Sequence, residues 1–265
     1  MDLATADWAN SDDDRVWSGA DSWLLRQPKD VGLRLALELA DRPRLEARGL
    51  AAHLLGQAHA FWPEARESVC VRLRHMLSSE TETAVLRQAG IAIGFWGDQE
   101  ALPALVRLKT QSHSDVRYGA VHGFSGIETE YAKRHLIDLT RDEDGDVRDW
   151  AVFGLGQMTT MDFPDLREAL VAALDDPNDM VRFEAVAGLA ERKDPRAIAG
   201  LKCLLGRMDN DDEWQAAWGI AEDLRASELA PELQLQFKRY DAEHPAPQGL
   251  ADALKACKAG PLPTQ

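Results

Sequence analysis

The chain has 265 residues, 45% of them hydrophobic, which is ample for a sizeable core in one large domain or two small ones. Its 45 acidic and 30 basic residues leave a formal net charge of −15, which opposes binding to nucleic-acid backbones or anionic membranes, since those gain affinity by neutralising phosphate with Lys and Arg. Cys70, Cys203 and Cys257 lie far apart with no CxxC pairing, so neither a zinc knuckle nor a disulfide framework is suggested.

The N-terminus carries Asp2, Asp7 and Asp12-Asp13-Asp14 without an apolar leader core, and no later apolar run approaches the roughly 20 residues that span a bilayer. A soluble, cytoplasmic protein is expected. Residues 1–27 hold Trp8, Trp17 and Trp23 in an acidic setting and read as an N-terminal cap. Residues 28–224 read as a repeat region, residues 225–258 as C-terminal capping helices and residues 259–265 as a tail. From Val31 the apolar spacing is helical, Pro43 stops that helix, and a second begins. Further first helices are predicted at Glu64–Leu77, Glu100–Lys109, Tyr131–Leu139, Pro164–Leu174 and Pro195–Leu205, and later ones at Ser227–Tyr240 and Gly249–Cys257. Nothing reads as a strand.

The second helices are copies of one stretch, Asp146-Val147-Arg148 leading to Ala151 and Gly154-Leu155-Gly156. Asp115-Val116-Arg117 with Ala120 and Gly123 repeats it upstream, and Asp179 to Arg182 with Ala185 and Gly188 repeats it downstream. Weaker copies at 47, 85 and 212 complete a set of anchors at residues 47, 85, 116, 147, 181 and 212, a period in the helical-hairpin range. On a helical wheel Val147, Ala151, Gly154 and Leu155 fall on one buried side, and the alanine column (through Ala216) and glycine column (through Gly219) predict close helix packing. Asp115, Asp146 and Asp179 are expected as N-caps. Arg117, Arg148 and Arg182 are expected to reach an acidic side chain or turn carbonyl of an adjoining unit. A pair that recurs this often is a structural ladder rather than a catalytic constellation.

With these motifs the chain resembles the HEAT-repeat family, in particular the bacterial short repeats also found in phycobilisome-lyase-like proteins, over roughly residues 30–224. The resemblance implies an all-α, right-handed superhelix (solenoid) of about six helical hairpins whose second helices line a concave face. It also implies a non-enzymatic scaffold that binds a protein or peptide. On the outward column of those helices the spacing places Tyr118, His122, Phe153, Phe183, Trp214 and Trp218 as a partner-binding row, aromatic anchors being what such a surface needs. The acidic turns Asp142–Asp146, Asp175–Asp179 and Asp209–Glu213 should share one edge and favour a basic partner. No cofactor or metal is expected: the seven histidines form no motif, and an EF-hand reading of Asp142, Asp144 and Asp146 fails because Val147 stands where glycine is required. Two other activities stay open. HEAT-like stacks occur in alkylpurine DNA glycosylases, with Trp218 and Glu222 a faint echo, although the charge argues against it. The repeat resemblance alone also permits bilin-lyase-type chaperoning.

Overall fold

The computed structural model describes residues 19, 22, 26–207, 215–240 and 246–260. Among them there are fourteen α-helices and no strand. Six hairpins follow one another: α1 (Lys29–Leu39) with α2 (Leu45–Phe61), α3 (Arg66–Ser79) with α4 (Thr83–Trp96), α5 (Leu102–Lys109) with α6 (Ser114–Ser125), α7 (Glu130–Leu139) with α8 (Gly145–Gly156), α9 (Pro164–Ala173) with α10 (Asp179–Glu191), and α11 (Arg196–Arg207) with α12 (Gln215–Leu224). Two helices complete the chain, α13 (Ala230–Phe237) and α14 (Gln248–Ala259).

Local chemistry sets the helix ends. Pro103, Pro164 and Pro231 sit in the first turns of α5, α9 and α13, where a missing N–H leaves no hydrogen bond unmade. Thr129 caps α7 by accepting from the Ala132 N–H at 3.2 Å, and Asn178 caps α10 by accepting from the Met180 N–H at 2.8 Å. Asp144 Oδ1 caps α8, accepting from the Asp146 and Val147 N–H groups at 3.0 and 3.2 Å. This corrects the N-cap assignment of Asp115, Asp146 and Asp179, which lie inside the first turns of α6, α8 and α10. There they still complement the helix dipole. Helix α4 ends on Gly97, whose φ of 57° is left-handed and suits glycine.

The chain divides into two compact units, residues 1–154 and 155–265. In the first, Ala51, Ala89, Ala120 and Ala151 are fully buried, as their shared column requires. A Cβ on Gly90 would stand 2.5 Å from the Gly119 carbonyl oxygen, and one on Gly94 would stand 2.3 Å from the His122 carbonyl oxygen. Helices α2, α4 and α6 therefore meet almost backbone to backbone. They approach each other much more closely than the first helices α3, α5 and α7 do. In the column of Gly123 and Gly154, Gly123 receives Leu105 of α5, and Gly154 receives Ser125 of α6 and Leu136 of α7.

In the second unit Gly188 receives Leu170 of α9 in the same way. One core cluster joins Val186 of α10, Leu201 and Leu205 of α11, Ala217, Trp218 and Ala221 of α12, Leu233 of α13, and Leu250, Ala253 and Cys257 of α14. Helix α13 lies against α11 and α14 against α12, so the last two helices stack as a further hairpin. Two members of the predicted columns do not conform. Ala216 is exposed, while Gly219 has open space where a Cβ would project. The buried residues of α12 are Ala217, Trp218 and Ala221, so the sixth unit runs one residue later than its sequence alignment.

The two kinds of glycine should respond oppositely to alanine. Gly119→Ala would bring a Cβ to 2.8 Å from Arg87 Cα, which is backbone and cannot swing away. A destabilisation of about 2–3 kcal/mol is expected there. Gly219→Ala should stabilise by roughly 0.5–1 kcal/mol through helix propensity alone. Urea unfolding of both variants checks this, and equal effects would contradict the packing described.

Candidate protein-interaction surface

The outward side chains of the second helices in the first unit converge on one aromatic group. Tyr118 and His122, one turn apart on α6, have ring centroids 4.7 Å apart. Trp150 of α8 lies 4.3 Å from the His122 ring and 6.0 Å from Tyr118, and Phe153 of α8 meets Trp150 edge-on at 5.4 Å. All four are half-buried, presenting part of each ring to solvent. On a helical wheel of the founding motif Trp150 falls on the flank of the helix and is expected in the core. Instead it is the hub of the group, in ring contact with His122, Tyr118 and Phe153.

Charge surrounds these rings unevenly. The Arg87 guanidinium of α4 lies 4.7 Å over the Tyr118 ring, with its Nε 3.8 Å from Asp115 Oδ1. Burial raises the Tyr118 phenol above its ordinary value, Arg87 opposes that rise, and Asp146 and Asp149 add to it. Burial, with Arg87 nearby, pushes His122 down to about 4, and its Nε2 is buried without a hydrogen-bond partner. His122 is therefore neutral at pH 7 and acts as part of the apolar wall.

The arginine ladder ties the hairpin turns together. Arg117 donates to the Gln111 and Ser112 carbonyls at 2.9 and 2.8 Å, and reaches both oxygens of Asp142 in the next turn at 2.8 Å. Arg148 donates to the Asp142 and Glu143 carbonyls at 2.9 and 3.2 Å, while Arg182 contacts the Asp176 carbonyl and Asp179. Arg48 repeats the pattern with the Pro43 carbonyl at 2.8 Å and Glu80 at 2.6 Å. Much of the acidic edge is consequently occupied internally: Asp142 by Arg117, Asp144 by the α8 N-terminus and Asp176 by the Asn178 N–H. The Asp209–Glu213 turn lies outside the described residues.

The predicted row does not continue through the second unit. Trp218 is 5% exposed, and its Nε1–H donates to Gln236 Oε1 at 2.9 Å, whose Nε2 in turn donates to the Leu205 carbonyl at 2.8 Å. The cause is the one-residue shift of α12, which rotates every side chain by about 100° and moves Trp218 from the outward column to the buried one. Gln215 and Gly219 take the outward positions. A buried Trp218 cannot stack on an extruded base, so the Trp218 and Glu222 echo has no geometric basis. Phe183 is half-buried against the core cluster of the second unit rather than openly displayed. Trp214 lies outside the described residues. Among the described residues, no group of three or more His, Cys, Asp or Glu is placed to hold a metal ion, and no helix is long and apolar enough to cross a membrane.

Helical hairpins stacked so that second helices share one layer and first helices the other define an all-α solenoid protein. The chain belongs to the HEAT-repeat family, whose pattern matches residues 71–156 and 134–221. Protein YibA of Escherichia coli strain K12 is 31% identical over 224 residues, covering 82% of this chain and 78% of that protein. The X-ray structure of E. coli YibA superposes with a TM-score of 0.66 at 25% identity, over 94% of this chain and 89% of that one. Yeast importin-β (Kap95p) shares the fold, with a TM-score of 0.53 at 12% identity over 91% of this chain and 37% of its own.

Two stability effects follow from these contacts. Removing Arg117, 6% exposed, leaves the Asp142 carboxylate and two turn carbonyls without their donor, so Arg117→Ala should cost about 2–4 kcal/mol. Arg134→Ala, whose pair with Glu130 one turn away faces solvent, should cost under about 0.5 kcal/mol. Comparable losses in thermal or urea unfolding would refute the ladder's role. His122 titrates near 4 when folded against 6.5 for an unperturbed imidazole. The unfolded chain thus binds the extra proton between those values, and stability is full above 6.5 and falls as pH drops toward 4. From pH 7 to pH 5 this group should account for a loss of about 2 kcal/mol. Urea midpoints at both pH values should show that much less acid sensitivity in His122→Leu, and an identical drop in wild type and variant would discount it.

Proposed function

We propose that the protein is a non-enzymatic scaffold that binds a protein or peptide, basic in character, along the second-helix wall of its N-terminal unit. The observation carrying this reading is the half-exposed group of Tyr118, His122, Trp150 and Phe153 on the second helices of that unit. Large rings with few rotatable bonds bury much area at small entropic cost, which is what interface anchors require. Exposed Asp115 and Asp146 border the rings, and the whole chain carries a net charge of −15, so a basic partner would be steered toward them. Yeast importin-β, which shares the fold, has been solved in complex with Nup1. That precedent supports a stack of helical hairpins holding another polypeptide. The free thiols of Cys70, Cys203 and Cys257 fit a reducing, cytoplasmic setting.

The test is affinity purification from the source cells with wild type and a Tyr118→Ala, Phe153→Ala double variant whose melting curve confirms folding. Recovery of the wild-type partner should fall by about tenfold or more, as loss of two anchor residues entails. Undiminished recovery by a folded variant would reject this surface.

A further inference from the structure

We infer that the partner lies on this wall as an extended segment crossing α4, α6 and α8, with an apolar side chain at every second position and basic side chains between them. This deepens the function proposed above and rests on it. Phe95 of α4, 49% exposed, carries the apolar surface beyond the four-ring group, its ring stacked on His59 of α2 with centroids 5.2 Å apart. It stands two turns beyond Arg87 on the same side of α4. Helices α4 and α6 run parallel in a fixed register, with Gly90 against Gly119, Gly94 against His122 and Gly97 against Gly126, and Gly154 of α8 meets Ser125 of α6. That register sets Phe95, His122 and Phe153 within about two residues, roughly 3 Å, of one height. A Cβ at Gly126 would run into the Gly94 backbone, so α6 ends without a side chain that could cover Phe95.

A chain crossing these helices therefore meets one ring per helix. Ordinary helix pairs stand 8–10 Å apart, and the glycine contacts hold α4 and α6 to the close end of that range or below it. Side chains on one side of an extended chain recur about every 6.8 Å, whereas one turn of a helix advances 5.4 Å and two turns about 10.8 Å. The extended repeat is the nearest match to the step. Charge follows the same step. Glu82 at the N-cap of α4, Asp115 in the first turn of α6 and Asp146 in the first turn of α8 are all exposed, one carboxylate per helix along the edge where the three helices begin. This acidic row runs parallel to the rings and steers a segment whose apolar residues alternate with lysine or arginine.

Two blocked, dye-labelled heptapeptides of identical composition provide the probe, titrated against the intact chain with fluorescence anisotropy as readout. One alternates, Lys-Leu-Lys-Leu-Lys-Leu-Lys; the other places its leucines at helical spacing, Leu-Lys-Lys-Leu-Leu-Lys-Lys. The alternating peptide should bind about fivefold or more tightly than the rearranged one, with affinity that falls as salt rises. Phe95→Ala and Phe153→Ala, each confirmed folded by its melting curve, should weaken it about tenfold, and Phe95→Leu should recover most of the loss. Tyr131→Ala, which removes a 57% exposed ring from the first helix α7, should change it less than about twofold. Equal binding of the two peptides, binding indifferent to Phe95, or no measurable binding of the alternating peptide at low salt would overturn the inference. Tighter binding of the rearranged peptide would make an amphipathic helix the occupant and overturn it equally. If the cellular partner depends on Tyr118 and Phe153 but neither on Phe95 nor on competition by the alternating peptide, the wall stands and the extended segment falls. If its retention ignores Tyr118 and Phe153 altogether, the wall itself is wrong.

Discussion

The N-terminal unit depends on the near-contact of its second helices. Glycines at 90 and 94 of α4 face backbone of α6 at distances no side chain could fill, and a Cβ on Gly56 of α2 would stand 3.0 Å from Ala92 of α4. Ordinary helix pairs stand 8–10 Å apart with side chains interleaved; here the interleaving is replaced by backbone on backbone along one layer only. The first helices, spaced by leucines and valines, stay wider. Close spacing within one layer brings the outward side chains of that layer near one another. The aromatic group on α6 and α8 is an instance: Tyr118, His122 and Trp150 come from helices in successive hairpins and meet within 4.3–6.0 Å.

Polar contacts fix the hairpin turns while helix packing fixes the layers. Each ladder arginine answers turn carbonyls five or six residues before it, groups that a helix end leaves without partners. Arg192 does comparable work in the second unit, donating to the carbonyls of Leu155, Gly156, Thr159, Met161 and Gly188 at 2.8–3.2 Å. Lys133 does so in the first, fully buried and donating to the Ser125 carbonyl at 2.8 Å where α6 ends. A cation buried this way is tolerable only because several oxygens replace its water.

Much of this was legible in the sequence because repetition averages out local ambiguity. Three clear copies of the Asp, Val, Arg motif fixed which face of α6, α8 and α10 is buried, and the alanine column from Ala51 to Ala185 is buried throughout. Legibility failed where the copies degrade. The sixth unit was aligned on Asp212, and a slip of one residue was enough to put Trp218 on the wrong face, since nothing in a helical pattern tolerates a rotation of about 100°. Buried Ala217 and Ala221, four apart, offered the alternative register. Trp150 failed for another reason. A wheel of one helix cannot tell that a neighbour lies unusually near, so it cannot distinguish a flank that is filled from one that opens onto a shared wall. The N-cap assignments erred by one or two residues because the turn carries several acids, any of which could accept the first N–H groups; Asp144 does so at α8.

The distribution of charge makes the surface more acidic than the formal count suggests. The cations are drawn inward: Arg48, Arg117, Arg148, Arg182 and Arg192 bind carbonyls and turn carboxylates, and Arg87 lies on an aromatic ring. Their acidic counterparts are only partly matched to them, with Asp115 about half exposed and Glu143 almost wholly so. At physiological salt, charges farther than about 8 Å contribute little to the field at a given surface point. The field at the aromatic group is therefore dominated by its nearest charges, among them exposed Asp115 and Asp146, with Arg87 engaged on Tyr118 and Asp115. The same sorting that secures the turns with cations leaves anions beside the rings, so the acidity of the wall is a consequence of how the fold satisfies its own backbone.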